Sequence, residues 1–331
     1  MPDAAAMDPK EDKLPLFSAY VLFSEGVQFE AAEIFDALTE DYPDLDVRRT
    51  TGTFIRDTLC DTNQFITEGI IGLDGEDAAG PVQLVRLPGY GQWDFKALRP
   101  MARVNCPDLE ERLARNRSYL AISVPATGRG LVEKFTAARL CSALAAVFAK
   151  LPVALAVYWE PADHFLSPEK TIQMADEALR DEWPILQWVG FDAGFTQDGS
   201  VKGLSIGMRA FADCEVSYAP APVDIPTSVT AMHAFIWLKL VSGNPFNDGD
   251  TIGSEADAVS GKANRLRLIP KGKEGASCDT WLILHPEHKA EDLHKFVEPK
   301  AANPPPSGVD NNVQPRAGFF QSILRGRRQR H

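Results

Sequence analysis

Only five of the 331 residues are cysteine (Cys60, Cys106, Cys141, Cys214 and Cys278), and no two form a CxxC pair. The odd count and wide spacing argue against a disulfide framework and a structural zinc site, so five free thiols are expected. Cys141 stands in the run LCSALAAVF, where a thiol reads as a small buried hydrophobe. The sequence also lacks G-x-x-x-x-G-K-[ST], a complete G-x-G-x-x-G and HExxH. Those absences remove the common nucleotide and metalloprotease signatures. The opening MPDAAAMDPKEDK is acidic and polar, with neither a basic nor an apolar region of the kind a secretory signal carries. The longest apolar stretch, residues 140–159, has Lys150 and Pro152 at its middle. A charge and a helix breaker there cost too much in lipid, so the stretch reads as a buried helix followed by a buried strand.

Acid is plentiful. The chain has 46 Asp and Glu against 34 Lys and Arg, a net charge of −12. Five of the basic residues (Arg316, Arg325, Arg327, Arg328 and Arg330) lie beyond residue 312, where there is no acid. Residues 1–312 therefore hold 29 bases against 46 acids, a charge of −17. A body this acidic repels phosphate backbones and anionic lipid, so neither nucleic acid nor a membrane surface suits it as a partner. With 44% hydrophobic and 24% charged residues the composition is that of a globular protein.

Periodicity predicts an α+β protein with mixed sheets and packed helices. Residues 1–13 read as a disordered leader and 14–298 as the folded body. Strands are expected at 17–23, 45–49, 65–73 and 82–87, with a helix at 29–39 making a β-α-β start. A charged helix follows at 108–117. The clearest unit is a crossover: strand 118–124, turn PATGRG, apolar helix 131–150 and strand 153–158. That spacing predicts two parallel strands in one sheet, with Phe135, Leu144 and Phe148 buried on the helix. Further on come a helix from an N-cap at Ser167 to Arg180 and a hairpin of 185–195 with 201–206. A helix at 225–241 and strands at 266–269 and 281–284 complete the body. Two ferredoxin-like halves, about 14–117 and 118–298, are one way to build it. Residues 299–315 form a Pro-rich linker, and 316–331 a basic amphipathic tail.

Several segments resemble, in order, those of a bacterial family called domain of unknown function 4261 (DUF4261). They are Ile122–Val124 ending a strand, the ALAVYW of residues 154–159, the WVGF of Trp188–Phe191, Gly207–Phe211 with Glu215, and the DGDTIG of residues 248–253. The match covers about two-thirds of the chain. It departs at Ala212, Asp213 and Cys214, where the family has Gly and Pro. The resemblance implies the fold and no particular activity.

Chemistry-bearing candidates follow from the crossover. Thr127, Gly128, Arg129 and Gly130 lie between a strand and a helix start, where backbone N–H groups can hold an anion. The plainer reading is a flexible turn. Trp159, Glu160, Asp163 and His164 leave the second strand on the same carboxyl edge, and an acid beside His164 makes an acid/base pair conceivable. The plainer reading there is a helix-entry loop with aromatic anchors. His285, His288 and His294 with Glu287, Glu291 and Asp292 are the one metal-like cluster, but a solvated charged helix explains them, and no metal or cofactor is expected. Residues 247–251, NDGDT, read as a tight turn.

In the tail, Phe319 with Ile323 and Phe320 with Leu324 fall at helical i, i+4 spacing, followed by Arg325, Arg327 and Arg328. This is a docking element for a partner protein or, through the tail alone, an anionic membrane surface. A solubilising basic end is the plainer alternative. The sequence thus argues against an enzyme. The leading expectation is a cytoplasmic, non-enzymatic protein-binding factor of the accessory or immunity type, its partner met through the body or the tail. The alternative is a small-ligand or anion-binding protein, or an enzyme, working at the carboxyl edge of the crossover.

Overall fold

Residues 16–23, LFSAYVLF, are apolar at almost every position, and they form a strand, β1 (Leu16–Phe23), with seven of its eight residues buried. A strand covered on both faces needs no polar alternation. The structure, a computed structural model, describes residues 14–27, 29, 31–43, 47–49, 55–60, 64–69, 71–73, 82–88, 93, 95–272 and 278–288. The leader 1–13, the linker 299–315 and the tail 316–331 lie outside the described residues.

After β1 come α1 (Ala31–Asp41), β2 (Val47–Arg49), β3 (Ile55–Cys60), β4 (Gln64–Gly69), β5 (Ile71–Leu73) and β6 (Val82–Pro88). Two 3-10 turns, Phe95–Ala97 and Pro100–Arg103, lead into α2 (Leu109–Arg115). The crossover is β7 (Ser118–Pro125), α3 (Leu131–Ala149) and β8 (Ala154–Trp159). A 3-10 turn, Glu160–Ala162, precedes β9 (His164–Leu166) and α4 (Pro168–Leu179), which Ser167 caps by accepting the Lys170 N–H. The remainder is α5 (Ile185–Trp188), β10 (Gly190–Phe195), β11 (Val201–Ile206), α6 (Arg209–Ala212), β12 (Cys214–Ala221), α7 (Ile225–Leu240), β13 (Thr251–Ile252), α8 (Glu255–Val259), β14 (Asn264–Ile269) and β15 (Asp279–Leu284).

The first sheet has the order β3-β4-β6-β7-β1-β8-β9, the second β10-β11-β12-β15-β14-β13. β7 and β8 both run antiparallel to β1, which lies between them, so they are parallel to each other in one sheet. This is a split β-α-β unit, with the crossover helix packed on β1, β7 and β8. Leu144 and Phe148 are buried on α3 as the apolar run implies, whereas Phe135 is only half-buried, packed against Trp183 and Trp188. The apparent membrane span of residues 140–159 is the end of α3 plus β8, and no described helix is long and apolar enough to cross a membrane.

Three expectations need correction. The β-α-β start does not close, because β2 pairs with β5 in a separate ribbon and leaves β1 to β7 and β8. Residues 185–188 form helix α5 instead of the first part of a hairpin strand, since Pro184 starts a helical turn there. The passage from the first sheet to the second falls between Leu166 and Gly190, while residues 117 and 118 lie within the span of the first sheet.

The two sheets share one core. Phe17 of β1 meets Phe211 of α6 at 5.1 Å, and Phe211 stacks on Trp188 of α5, which meets Phe135 of α3. Trp188 donates its indole N–H to Ser142 at 2.9 Å. The buried Lys134 of α3 donates to the Phe211 carbonyl at 2.9 Å and to Asp213 at 3.1 Å, tying the first sheet's helix to the corner before β12. Gly207 (φ +97°) belongs to the same junction: a Cβ there would run into the Pro161 carbonyl oxygen.

Candidate functional site

The crossover edge is built by the ends of β7 and β8 on either side of β1. Thr127, Arg129 and Gly130 are exposed and Gly128 is half-buried, at the start of α3. The carboxylate of Glu133, one turn into the helix, lies over this turn: a Cβ added to Gly128 or Gly130 would collide with its oxygens. Negative charge from the chain itself thus meets the positive end of the helix, where an external anion would have to settle. The glycines serve this close approach.

Trp159 is fully buried and faces α3 with the rest of the main core. His164 is 3% exposed, and its Nε2–H donates to the Gln187 carbonyl at 2.7 Å. Burial pushes the imidazole down to about 4, so the ring is neutral at pH 7. Asp163 takes a left-handed conformation (φ 49°) at the end of the 3-10 turn. One of its oxygens accepts from the Tyr158 hydroxyl at 2.6 Å, and the other from the Arg99 Nη2 at 2.8 Å. Glu160 is half-buried. Burial raises its carboxyl above the usual carboxylate range, with a Ser18 hydroxyl hydrogen bond opposing.

The face of the first sheet opposite α3 carries an aromatic group that no periodicity pointed out. Trp93 lies 5.7 to 6.5 Å from the rings of Tyr20, Tyr119, Tyr158 and Phe165. Tyr20 and Tyr158 are cross-strand partners on β1 and β8, so alternation alone places their rings side by side. Ser18 and Ser123, likewise partners, are buried one row along. The edge therefore brings Glu160, Asp163 and Tyr158 near one another. It sends Trp159 and His164 inward and leaves Thr127–Gly130 on its own turn.

The segment 207–215 is structural. Glu215 accepts from the Ser205 hydroxyl and from the backbone N–H of Gly207 at 2.9 Å and of Arg209 at 3.3 Å. The acid at that spacing closes the loop before β12. Asp248 similarly holds the Leu268 N–H at 2.7 Å and Asp250 the Asn247 N–H at 2.6 Å, latching the NDGDT turn to β14. His288 donates from Nε2 to the Pro220 carbonyl, and His285 lies beside Glu287. No group of three or more metal-ligating side chains occurs among the described residues, and Glu291, Asp292 and His294 lie outside them. An open hollow of about 500 Å³ is lined by Thr251, Gly261, Arg265 and His288 among others.

Among the described residues, one uncharged exposed surface lies on α7. The helix is apolar almost all round, and it packs on β10, β11 and β12. Its outward stripe is Thr227, Thr230, Ala234, Trp237 and Val241, all exposed, at spacings of three and four and with no charge. Trp237 is 47% exposed. A helix turned to water normally carries charge on that face. The missing charge was readable in IPTSVTAMHAFIWLKL, but only the burial of the other face shows which residues it concerns. The chain matches no protein-family model and no curated protein.

Proposed function

We propose that the chain is a non-catalytic protein-binding factor of the accessory or immunity type, acting in the bacterial cytoplasm and docking its partner on the outer stripe of α7. The observation that carries this reading is the stripe itself. A 3-4-3-4 row of small and apolar side chains is what a second helix needs in order to pack, and a half-exposed tryptophan is the residue type that anchors interfaces. The partner is accordingly a protein that presents an amphipathic helix. The crossover edge supports the same side of the choice. Its histidine is buried and neutral, its glycine turn is met by Glu133, and Asp163 is held by Arg99 and Tyr158. Membership in the domain-of-unknown-function family named above belongs to this reading, supported by the order of its motifs. So does a tail that adds a basic contact through Phe319, Phe320, Ile323, Leu324 and the arginines after them.

The test is capture of the partner from the native cell, followed by reconstitution of the purified pair and calorimetry. Trp237→Asp should keep the melting temperature within about two degrees and weaken the reconstituted complex by at least tenfold, roughly 1.4 kcal/mol. An unchanged dissociation constant would remove α7 from the interface. The small-ligand reading keeps one observation, the raised carboxyl of Glu160 beside Tyr20 and Tyr158.

A further inference from the structure

Cys214 opens β12 and Cys278 stands one residue before Asp279 opens β15, the parallel neighbour of β12. Cys214 and Asp279 are direct partners in the ladder. Neighbouring strands lie about 4.8 Å apart and successive residues about 3.3 Å along the chain. The diagonal from Cys214 to Cys278 is therefore about 6 Å between Cα atoms, the separation at which disulfides most often form. Within a regular strand, alternation would turn adjacent residues to opposite faces. Cys278 is outside the strand, in a bend, and its side chain is not bound by the pleat. The thiols also lie within electrostatic reach, since Cys278 is one of the groups that raise Cys214.

The two differ in access. Cys214 is 4% exposed, and burial pushes its thiol up to about 12, with the Lys239 ammonium of α7 pulling the other way. Cys278 is partly exposed, whereas Cys106 and Cys141 are buried without access to solvent. An accessible thiol next to a buried one is the arrangement of an attacking and a resolving cysteine.

We propose that Cys214 and Cys278 are a redox pair that closes a reversible intrachain disulfide on exposure to a low-molecular-weight disulfide such as glutathione disulfide. The Cys278 thiolate attacks one sulfur of the external disulfide, a new S–S bond forms, and the first external thiolate leaves. That thiolate takes the proton of Cys214, whose sulfur then attacks Sγ of Cys278 and expels the second external thiolate, which is protonated from water. Two protein thiols are oxidised and one external disulfide is reduced to two thiols. The bond encloses α7, β13, α8 and β14 in a covalent loop, so it fastens the docking helix at its base without touching the outer stripe. The pair stands apart from the docking proposal, because it needs no partner.

The test uses the full chain and glutathione disulfide. Free thiols counted in denaturant should fall from five to three, and proteolysis should release one cross-linked peptide joining Cys214 to Cys278. Dithiothreitol should reverse both changes. Oxidised protein should melt several degrees higher, because the cross-link restricts the unfolded chain. Cys278→Ser, at a partly exposed position, should fold normally and keep all four remaining thiols, while Cys106→Ser should still lose two. Five unreacted thiols, a glutathione adduct that stays on Cys278, or a disulfide between two chains would each overturn the proposal.

Discussion

The crossover edge and the outer stripe of α7 differ in what their side chains have left to offer. The edge is rich in chemistry: a histidine, an aspartate, a glutamate, an arginine and two tyrosines gathered around the end of β8. Most of those groups are spent inside the protein. His164 is bonded to Gln187, and Asp163 is shared between Arg99 and Tyr158. The stripe has almost no chemistry, and it is unspent. Thr227, Thr230, Ala234, Trp237 and Val241 face outward with no charge and nothing polar beyond two hydroxyls and one indole N–H. Polar density marks where a fold needs hydrogen bonds as readily as where it works. A charge-free row on an exposed helix has no such internal use.

The sharpest way to break this contrast is to truncate one residue in each region. His164→Ala removes a buried ring and leaves the Gln187 carbonyl unpaired, which should cost about 3 kcal/mol in denaturant unfolding. Trp237→Ala should stay within about 1 kcal/mol of the parent, because half of its ring is already in water. Equal costs, or the reverse order, would undo the assignment of the edge to structure and the stripe to function.

A pH series sharpens the same point. The His164 imidazole is held down to about 4 in the folded state, against 6.5 unperturbed. Between those values the unfolded chain binds a proton that the folded chain does not. Stability therefore falls as pH drops from about 6.5 to about 4, by up to about 3 kcal/mol from this one group. Above pH 6.5 the group contributes no slope. In His164→Asn, unfolding curves taken from pH 7 to pH 4 should lose less stability on acidification than the parent does. Parallel curves would mean that the ring is not buried neutral.

Much of this architecture was legible in order and type. The run SYLAISV, the turn PATGRG and the apolar helix after it carry their periods openly, and α3 bridges two parallel strands as that pattern requires. β1 was legible as a strand, though its place between β7 and β8 was not, because register across distant segments leaves no local mark. β12 escaped notice: CEVSYAPA alternates weakly, yet it pairs with β11 and with β15. Its polar positions are absorbed locally, Glu215 by the loop at Gly207 and Ser217 by the Gly203 carbonyl. The candidate edge was legible as a place but not as a set of orientations. Nothing in the letters YWEPADH tells that the Trp159 and His164 side chains turn inward while Asp163 turns to Arg99. The α7 stripe was legible only as an unusually apolar helix.

The smallest expected effect comes from Glu160, the one edge acid that burial disfavours. Its carboxyl is raised above the usual range because burial penalises the charge more than the Ser18 hydroxyl supports it. A folded value above the unfolded one means that the group's contribution is most favourable in acid, and that it weakens as pH rises through the folded value. Glu160→Gln keeps the shape and an acceptor for Ser18 while removing the charge. At pH 7 it should be neutral to slightly stabilising, by less than about 1 kcal/mol, and the gain should vanish below pH 4. The Trp237→Asp variant offers the complementary case, a charge added where water already reaches, and should move stability little at either pH. A clear loss of stability in Glu160→Gln at pH 7 would show that the carboxylate is held by charge and not merely tolerated. The edge would then regain its claim to a cationic ligand over the stripe's claim to a protein.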